Sequence, residues 1–167
     1  MTMIIDGTNG LTFNNATTQA SAGSVLQVVQ STLTTSVSTA STSYVATGLV
    51  GTITPKFSTS KILVQIAGGG LNGQTGSVGV GVALYKKVGA GSYAQISSQV
   101  QDYELWAASS NIISPNSYIY LDSPATTSTT LYQPYFANFG SAGTVAFNVG
   151  FYGNAGLVSI TLLEIAG

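Results

Sequence analysis

The sequence predicts an all-β protein, an antiparallel β-sandwich of the jelly-roll type. Three observations predict it: apolar residues alternate with polar ones, turn signals separate the short segments, and helical spacing is nearly absent. The strand-like segments are "KILVQIAG", "VGVGVALYKK", "SYIYLDS", "TTLYQPYFANF", "TVAFNVGFYG" and "LVSITLLEIAG". Between them lie "TPKFSTSK", "GAGS", "SPNS", "DSPATTS", "FGSAGT" and "GNAG". We expect eight to ten strands, and the usual sandwich of that size is a jelly roll of two Greek keys.

The composition describes a single domain with an almost uncharged surface. The chain has 167 residues, of which 44% are apolar and 5% are charged. Soluble proteins average about 25% charged residues. An apolar content this high argues against whole-chain disorder. Because low net charge favours association, we expect partners to cover much of the surface.

Several classes of partner are disfavoured. The formal net charge is -1, so the electrostatic footprint of a nucleic-acid-binding protein is missing. Membrane insertion is not expected, since a spanning helix needs about 20 consecutive apolar residues and the apolar runs here are shorter. The start, "MTMIIDGTNG", lacks the basic and apolar regions of a signal peptide. The chain has no Cys, which excludes a disulfide framework.

The residue inventory argues against an enzyme. Without His or Cys there is no ordinary base or thiol nucleophile. The acids are Asp6, Asp102, Glu104, Asp122 and Glu164. The pair at 102 and 104 could share a strand face, but a polar loop or edge is the more ordinary interpretation. We expect residue 122 in a turn and residue 164 on the outer face or at a subunit seam. No cofactor is expected, and a Ca²⁺ site made of carboxylates and carbonyls stays open.

Two low-complexity stretches need a place in this fold. "STLTTSVSTASTSYVATG", residues 31–48, is polar on both faces, so we expect an outer loop or edge strand, with a flexible linker as the alternative. "GGGLNGQTGSVGVG" lacks the Gly-Lys-Ser/Thr ending of a phosphate-binding loop. We interpret it as a flexible loop followed by a Gly-bearing strand. In "VSITLLEIAG", one face of the expected strand carries Val158, Ile160 and Leu162 and should be buried.

Aromatic residues suggest a second kind of surface. The chain has nine Tyr and one Trp, and "QDYELWAASSN" sets Tyr103 and Trp106 beside Asp102. Sugar-binding surfaces combine aromatic platforms with amides and carboxylates, so these three residues are candidates for glycan contact. The alternative is that the aromatic side chains anchor the core or a subunit interface.

The order of segments resembles a group of small bacteriophage virion proteins labelled as tail-fibre or virion structural proteins. The resemblance covers roughly residue 25 to the end. The residues that carry it are Ser43, Tyr44, Thr47 to Leu49, Ile53 to Pro55, Ser60 to Val64, Asp122 to Thr127 and Ile160 to Ile165. The resemblance implies a virion component assembled in the bacterial host cytoplasm.

The first 23 residues form a separate segment in this prediction. "IDGTNGLTFNNATTQASAG" resembles short segments that recur in phage fibre proteins, although Asn14, Asn15 and Ala16 stand where those often read Pro-Asp-Gly. Its large apolar residues are Ile4, Ile5, Leu11 and Phe13, too few for an independent core. We therefore expect an extended virion-anchoring segment at 1–23, with a frayed terminus as the alternative, and the jelly-roll domain at 24–167.

Two functions remain. The first is a fibre or attachment protein that contacts other virion proteins through its N-terminal segment and reaches glycans of the host surface. The second is a capsid decoration or head-fibre protein that stabilises the shell. In either case we expect a homotrimer, by analogy with the tumour-necrosis-factor and complement-C1q folds.

Overall fold

The described structure consists of strands and their connections. It is a computed structural model, and it describes residues 4–6, 10–12, 18–19, 24–73, 78–97, 105–107, 112–140, 143–150 and 154–167. Side chains are described for 24–73, 79–97, 113–140, 143–150 and 154–167. These residues contain strands and no helix, and every strand pairing is antiparallel, which confirms the all-β prediction.

The strands form three sheets. A small sheet contains β1 (Ile4–Asp6), β2 (Gly10–Thr12) and β3 (Thr18–Gln19). The first large sheet contains β4 (Val25–Leu33), β5 (Val37–Thr39), β8 (Lys61–Gly73), β12 (Ile112–Asp122), β14 (Val145–Phe147) and β15 (Val158–Ile165). The second contains β6 (Val45–Ala46), β7 (Gly51–Ile53), β9 (Val78–Val88), β10 (Ala94–Gln95), β11 (Leu105–Ala107) and β13 (Thr130–Asn138).

The two large sheets have the strand order of a jelly roll. Consecutive strands that pair with the same neighbour form one interrupted line, which joins β6 to β7 along β13, β10 to β11 along β9, and β14 to β15 along β8. Strands β4 and β5 form a line in the same way, because β4 pairs with β15 and β5 with β14. Numbered along the chain, the resulting eight lines are arranged 1-8-3-6 in the first sheet and 2-7-4-5 in the second. This is the double Greek key predicted from the sequence, and it confirms the sandwich.

The core lies between the inner faces of the two large sheets. Its largest fully buried side chains include Tyr132, Phe136, Phe147, Leu49, Ile53, Ile62, Ile66, Leu71, Leu84, Ile160 and Leu162. On β15, burial alternates strictly along the strand, with Val158, Ile160 and Leu162 completely inaccessible. The predicted inner face of the C-terminal strand is therefore confirmed.

The polar stretch at 31–48 lies at the edge of both sheets. It contains the end of β4, which pairs only with β15 in the described part of the sheet, then β5 and β6. Most of it is exposed, as predicted, but Leu33 and Val37 pack against the core. Residues 31–48 thus form folded structure at the sheet edges, with one face exposed to solvent.

Strand pairing in the first sheet is interrupted at one level that crosses all four of its lines. The first line breaks between β4 and β5, and the eighth breaks between β14 and β15. On β8, Gly68 and Gly69 adopt positive φ angles of 91° and 63°. On β12, the register with β8 shifts between Pro115 and Ser117. A cavity of about 320 Å³ lies beside this level, lined in part by Gly70 and Leu157.

Asn148 holds this level together. Its side-chain amide donates to the carbonyls of Leu33 and Thr35 at 2.9 and 3.0 Å, so the breaks in two neighbouring lines are joined. A Cβ on Gly69 would lie 2.5 Å from Asn148 Oδ1, and its positive φ also favours glycine. The prediction of a flexible loop at "GGG" is wrong, because Gly68 to Gly70 lie inside β8.

A buried polar group connects the two large sheets near the other end of the sandwich. Asp122 ends β12 in the first sheet and accepts hydrogen bonds from Lys86 Nζ at 2.8 Å and from the Tyr132 hydroxyl at 2.7 Å. Both partners belong to the second sheet. Burial raises the pKa of Tyr132, and Asp122 raises it further, so the phenol stays a donor. The prediction that Asp122 serves a turn is therefore wrong.

Substitution of the inner face of β15 should destroy the fold, whereas substitution of the exposed edge should not. Leu162 is completely buried, and an unpaired carboxylate there costs several kcal/mol, so Leu162→Asp is expected to yield no folded protein. Thr35 is exposed, and Thr35→Asp should change the free energy of unfolding by about 0.5 kcal/mol or less. Thermal melts followed by far-UV circular dichroism compare the two. A folded Leu162→Asp protein would contradict the assignment of inside and outside.

Candidate binding surfaces

The predicted anchoring residues lie in the small sheet as far as they are described. Ile4 and Ile5 belong to β1 and Leu11 to β2, with Ile5 opposite Leu11 in the register. Phe13 lies outside the described residues. Among the described residues, β1, β2 and β3 pair with one another and with no strand of the two large sheets. Anchoring to the virion stays a prediction.

The predicted glycan-contact residues are described only in part. Asp102 and Tyr103 lie outside the described residues. Trp106 lies on β11, opposite Gly79 of β9, at the edge of the second sheet. Glycan contact by these three residues therefore stays a prediction.

The second sheet carries a cluster of aromatic side chains on its outer surface, which we call the aromatic face: Tyr44, Tyr85, Tyr93, Tyr135 and Phe139. The rings of Tyr85 and Tyr135 stack with centroids 4.0 Å apart. Tyr44 meets Tyr85 at 6.0 Å and Phe139 at 5.6 Å, edge to face in both cases, and Tyr93 lies 5.9 Å from Tyr135. Such pairs stabilise one another beyond simple burial. The five residues come from four separate stretches of the chain, so the sequence offered no local signal for them.

Amides flank the aromatic face in register. Tyr85 of β9 lies opposite Gln95 of β10 on one side and Gln133 of β13 on the other, so an amide–phenol–amide row crosses three strands. The Tyr85 hydroxyl and Gln95 Oε1 are 3.4 Å apart. Because alternate residues of a strand share a face, these side chains point away from the core that Leu84 and Tyr132 help to form.

A lysine stands at one end of the aromatic face. Lys87 Nζ lies 5.7 Å from the centroid of the Tyr93 ring, within the range of a cation–π contact. Burial raises the pKa of Tyr93, and Tyr135 raises it further, so the phenol remains protonated beside this cation. The neighbouring lysine, Lys86, is instead paired with Asp122 in a salt bridge. The face therefore combines rings, amides and one cation.

The first sheet presents a different outer surface, a line of aliphatic side chains that we call the apolar row. Leu121 of β12 lies opposite Leu63 of β8, Leu63 opposite Leu163 of β15, and Leu163 opposite Val28 of β4. Val28 is 59% exposed and Leu121 is 50% exposed. Ile119, on the next level of β12, is 59% exposed. Contiguous exposed apolar surface of this kind marks interaction sites.

Glu164 closes the inner face of β15 with a buried carboxylate. It is completely buried, accepts a hydrogen bond from the backbone amide of Lys56 at 2.7 Å, and accepts another from the side chain of Gln27. Burial alone would raise the pKa of the carboxyl. Groups of Ser60, Gln27, Lys56 and Phe57 outweigh burial and hold the pKa below its ordinary value. The prediction of an outer-face or seam position for Glu164 is wrong.

Two acidic residues have described side chains, and both carboxylates are hydrogen-bonded inside the sandwich. Asp122 and Glu164 are buried with the partners given above. No group of three or more metal-ligating acids, histidines or cysteines occurs among the described residues. No helix in the described part of the chain is long and apolar enough to cross a membrane. The candidate binding surfaces are the aromatic face of the second sheet and the apolar row of the first.

Comparisons with known proteins give a likeness of fold alone. No protein-family model and no curated protein matches the chain. A structure of the infectious bursal disease virus Gx strain is 13% identical over 92% of this chain and 43% of the other, with a TM-score of 0.43. T=1 particles derived from infectious bursal virus give 11% identity over 87% and 40%, with a TM-score of 0.44. The chain spans about two fifths of those chains, and a likeness at this level carries no argument about function.

Acidification should weaken the protein partly through Glu164. Because its pKa is depressed in the folded state, its contribution to stability is fully present above the unfolded pKa near 4.5 and is lost as pH falls through the folded pKa. At pH 7, Glu164→Gln should lower the free energy of unfolding by about 1–3 kcal/mol. The difference from the wild type should shrink below about pH 4.5. Urea unfolding at several pH values measures it, and a gap that stays constant from pH 7 to pH 3 would contradict the assignment.

Proposed function

We propose that this chain is a structural protein of a bacteriophage virion, a trimeric fibre or attachment component displayed on the particle. The sequence resemblance supports the virion context. The observation that carries the proposal is the apolar row, because a displayed, assembled β-domain needs an outer surface that favours a partner of the same kind.

The apolar row is exposed in a chain with few charges to keep it soluble. The chain has four Lys and five acidic residues. Of these, Asp122 and Glu164 are buried and Lys86 is paired with Asp122. A surface with little net charge and a contiguous apolar stripe favours self-association. A second and third copy of the chain are the partners that would always be present to cover Val28 and Leu121.

The attachment part of the proposal rests on the strand pairing of the small sheet. Strands β1 to β3 pair with one another, whereas β4 begins the jelly roll at Val25. Residues 1–23 would then join the trimer to another virion protein, while the sandwich is displayed. The alternative, a capsid decoration or head-fibre protein that stabilises the shell, differs in where the trimer attaches.

Charge placed in the apolar row should break the trimer. Val28→Lys puts a cation at the exposed β4 end of the apolar row, so we expect the wild type to be a trimer at micromolar concentration and the variant to be a folded monomer. Thr32→Lys is the matched control, since Thr32 lies two pairs further along the same face of β4, opposite Ser159, and is exposed. Multi-angle light scattering measures the mass of each. A monomeric wild type, or a Val28→Lys variant that stays trimeric, would contradict this contact.

Removal of residues 1–23 should separate folding from attachment. The truncated chain is expected to keep the melting temperature of the full chain, because the described core residues lie within 24–167, and to be missing from purified particles. Immunoblots of particles assembled with either form measure incorporation, and electron microscopy of intact particles locates the full chain at the tail or on the shell. A truncated protein that does not fold would place this segment in the sandwich.

A further inference from the structure

We propose that the aromatic face of the second sheet binds an acidic polysaccharide of the cell surface. The site is made of Tyr85, Tyr93, Tyr135, Gln95 and Lys87, and it differs from the residues at 102–106 that the sequence suggested. It deepens the proposed attachment role, and it rests on that role for the source of the ligand.

The shape of the surface suits an extended polymer. Gln95, Tyr85 and Gln133 form one level across three neighbouring strands, and Lys87 with Leu131 forms the next level. Gln95 is exposed and Gln133 is buried, so Gln95 supplies the accessible amide of this level. On the other side of that row, Tyr135 lies opposite Ala83. A pleated face with rings at successive levels offers contacts repeated along a chain of sugars. Ring faces accept the apolar C–H surfaces of sugars, and amides both donate and accept hydrogen bonds to hydroxyl groups.

The charge on this face points to an anionic ligand. Lys87 carries its cation next to the Tyr93 ring. In the described part of the chain, the side-chain carboxylates outside the small sheet are those of Asp122 and Glu164, and both are buried in the sandwich. Sugar carboxylates of a uronic acid supply the opposite charge, and a hydrogen bond between ammonium and carboxylate is about twice as strong as a neutral one.

The surroundings of Lys87 distinguish it from its neighbour. Lys86 points into the sandwich and is neutralised by Asp122 at 2.8 Å. Lys87 lies on the opposite face of the same strand, level with Leu131. The alternation of strand side chains thus sends one lysine to a structural contact and leaves the other on the aromatic face.

The test uses the full-length protein and two polymers. Affinity electrophoresis in gels that contain alginate, a polymer of uronic acids, should retard the wild type, and gels that contain neutral dextran should not. Lys87→Gln should weaken retardation by alginate about tenfold, because it removes a charge-assisted hydrogen bond. Lys61→Gln is the matched control: it makes the same charge change at an exposed lysine on the first sheet. Tyr85→Leu should weaken binding as well, with circular dichroism confirming its fold.

The outcomes separate this inference from the proposed function. The polysaccharide site would be overturned if alginate and dextran retarded the protein equally, or if neither polymer retarded it. It would also be overturned if Lys87→Gln and Lys61→Gln weakened retardation by alginate to the same extent. Loss of the trimer in Lys87→Gln would assign the aromatic face to a subunit contact and overturn it too. A trimer found in the virion that binds no alginate leaves the proposed function intact. Binding by a chain missing from particles would overturn the function and keep the site.

Discussion

The pairing of β8 on both of its edges is the constraint on which the sandwich depends. Along one edge it pairs with β12, and along the other it pairs first with β15 and then with β14. Both partners come from far along the chain, so the first sheet exists only when the two halves of the sequence have met. The inward residues Ile62, Val64 and Ile66 are at most 1% exposed. Because β8 is paired on both edges and its inward residues are buried, its apolar alternation determines which face of β12 and β15 turns inward.

The irregular level in the first sheet shows how a long sheet accommodates a break without losing its partners. Two of its four lines are interrupted at this level, β8 carries two glycines with positive φ, and β12 shifts its register. Asn148 donates hydrogen bonds to the carbonyls of Leu33 and Thr35, between the end of β4 and the start of β5. Glycine is needed at Gly69 because the amide of Asn148 occupies the space of a Cβ. Buried backbone groups need partners, and the side-chain amide of Asn148, a residue with a positive φ of 62°, provides them here.

The sequence predicted the features that depend on local alternation and missed those that depend on distant register. The inner face of β15 and the edge position of 31–48 follow from which residues are apolar and where they repeat. Asp122 and Glu164 could not be placed, since their partners Tyr132 and Gln27 come from other strands and the pairing is invisible in a local window. The aromatic face could not be predicted for the same reason. Trp106 was predicted as a glycan contact because polar residues adjoin it in the sequence, whereas Tyr85 meets its two glutamines only through strand pairing.

The two outer faces of the sandwich differ in a way that follows from their composition. Both sheets bury the same kind of apolar residue on the inside, so the outer residues are free to differ. On the first sheet these are aliphatic at the level of Leu63 and offer no hydrogen bonds, which suits a partner with an equally apolar surface. On the second, the half-buried phenols of Tyr85, Tyr93 and Tyr135 lie beside the amide of Gln95 and the cation of Lys87, and a phenol hydroxyl needs water or a polar partner. If copies of the chain cover the apolar row, the opposite sheet is turned away from that contact. The aromatic face then lies on the outside of the assembly, where a cell-surface polymer can reach it.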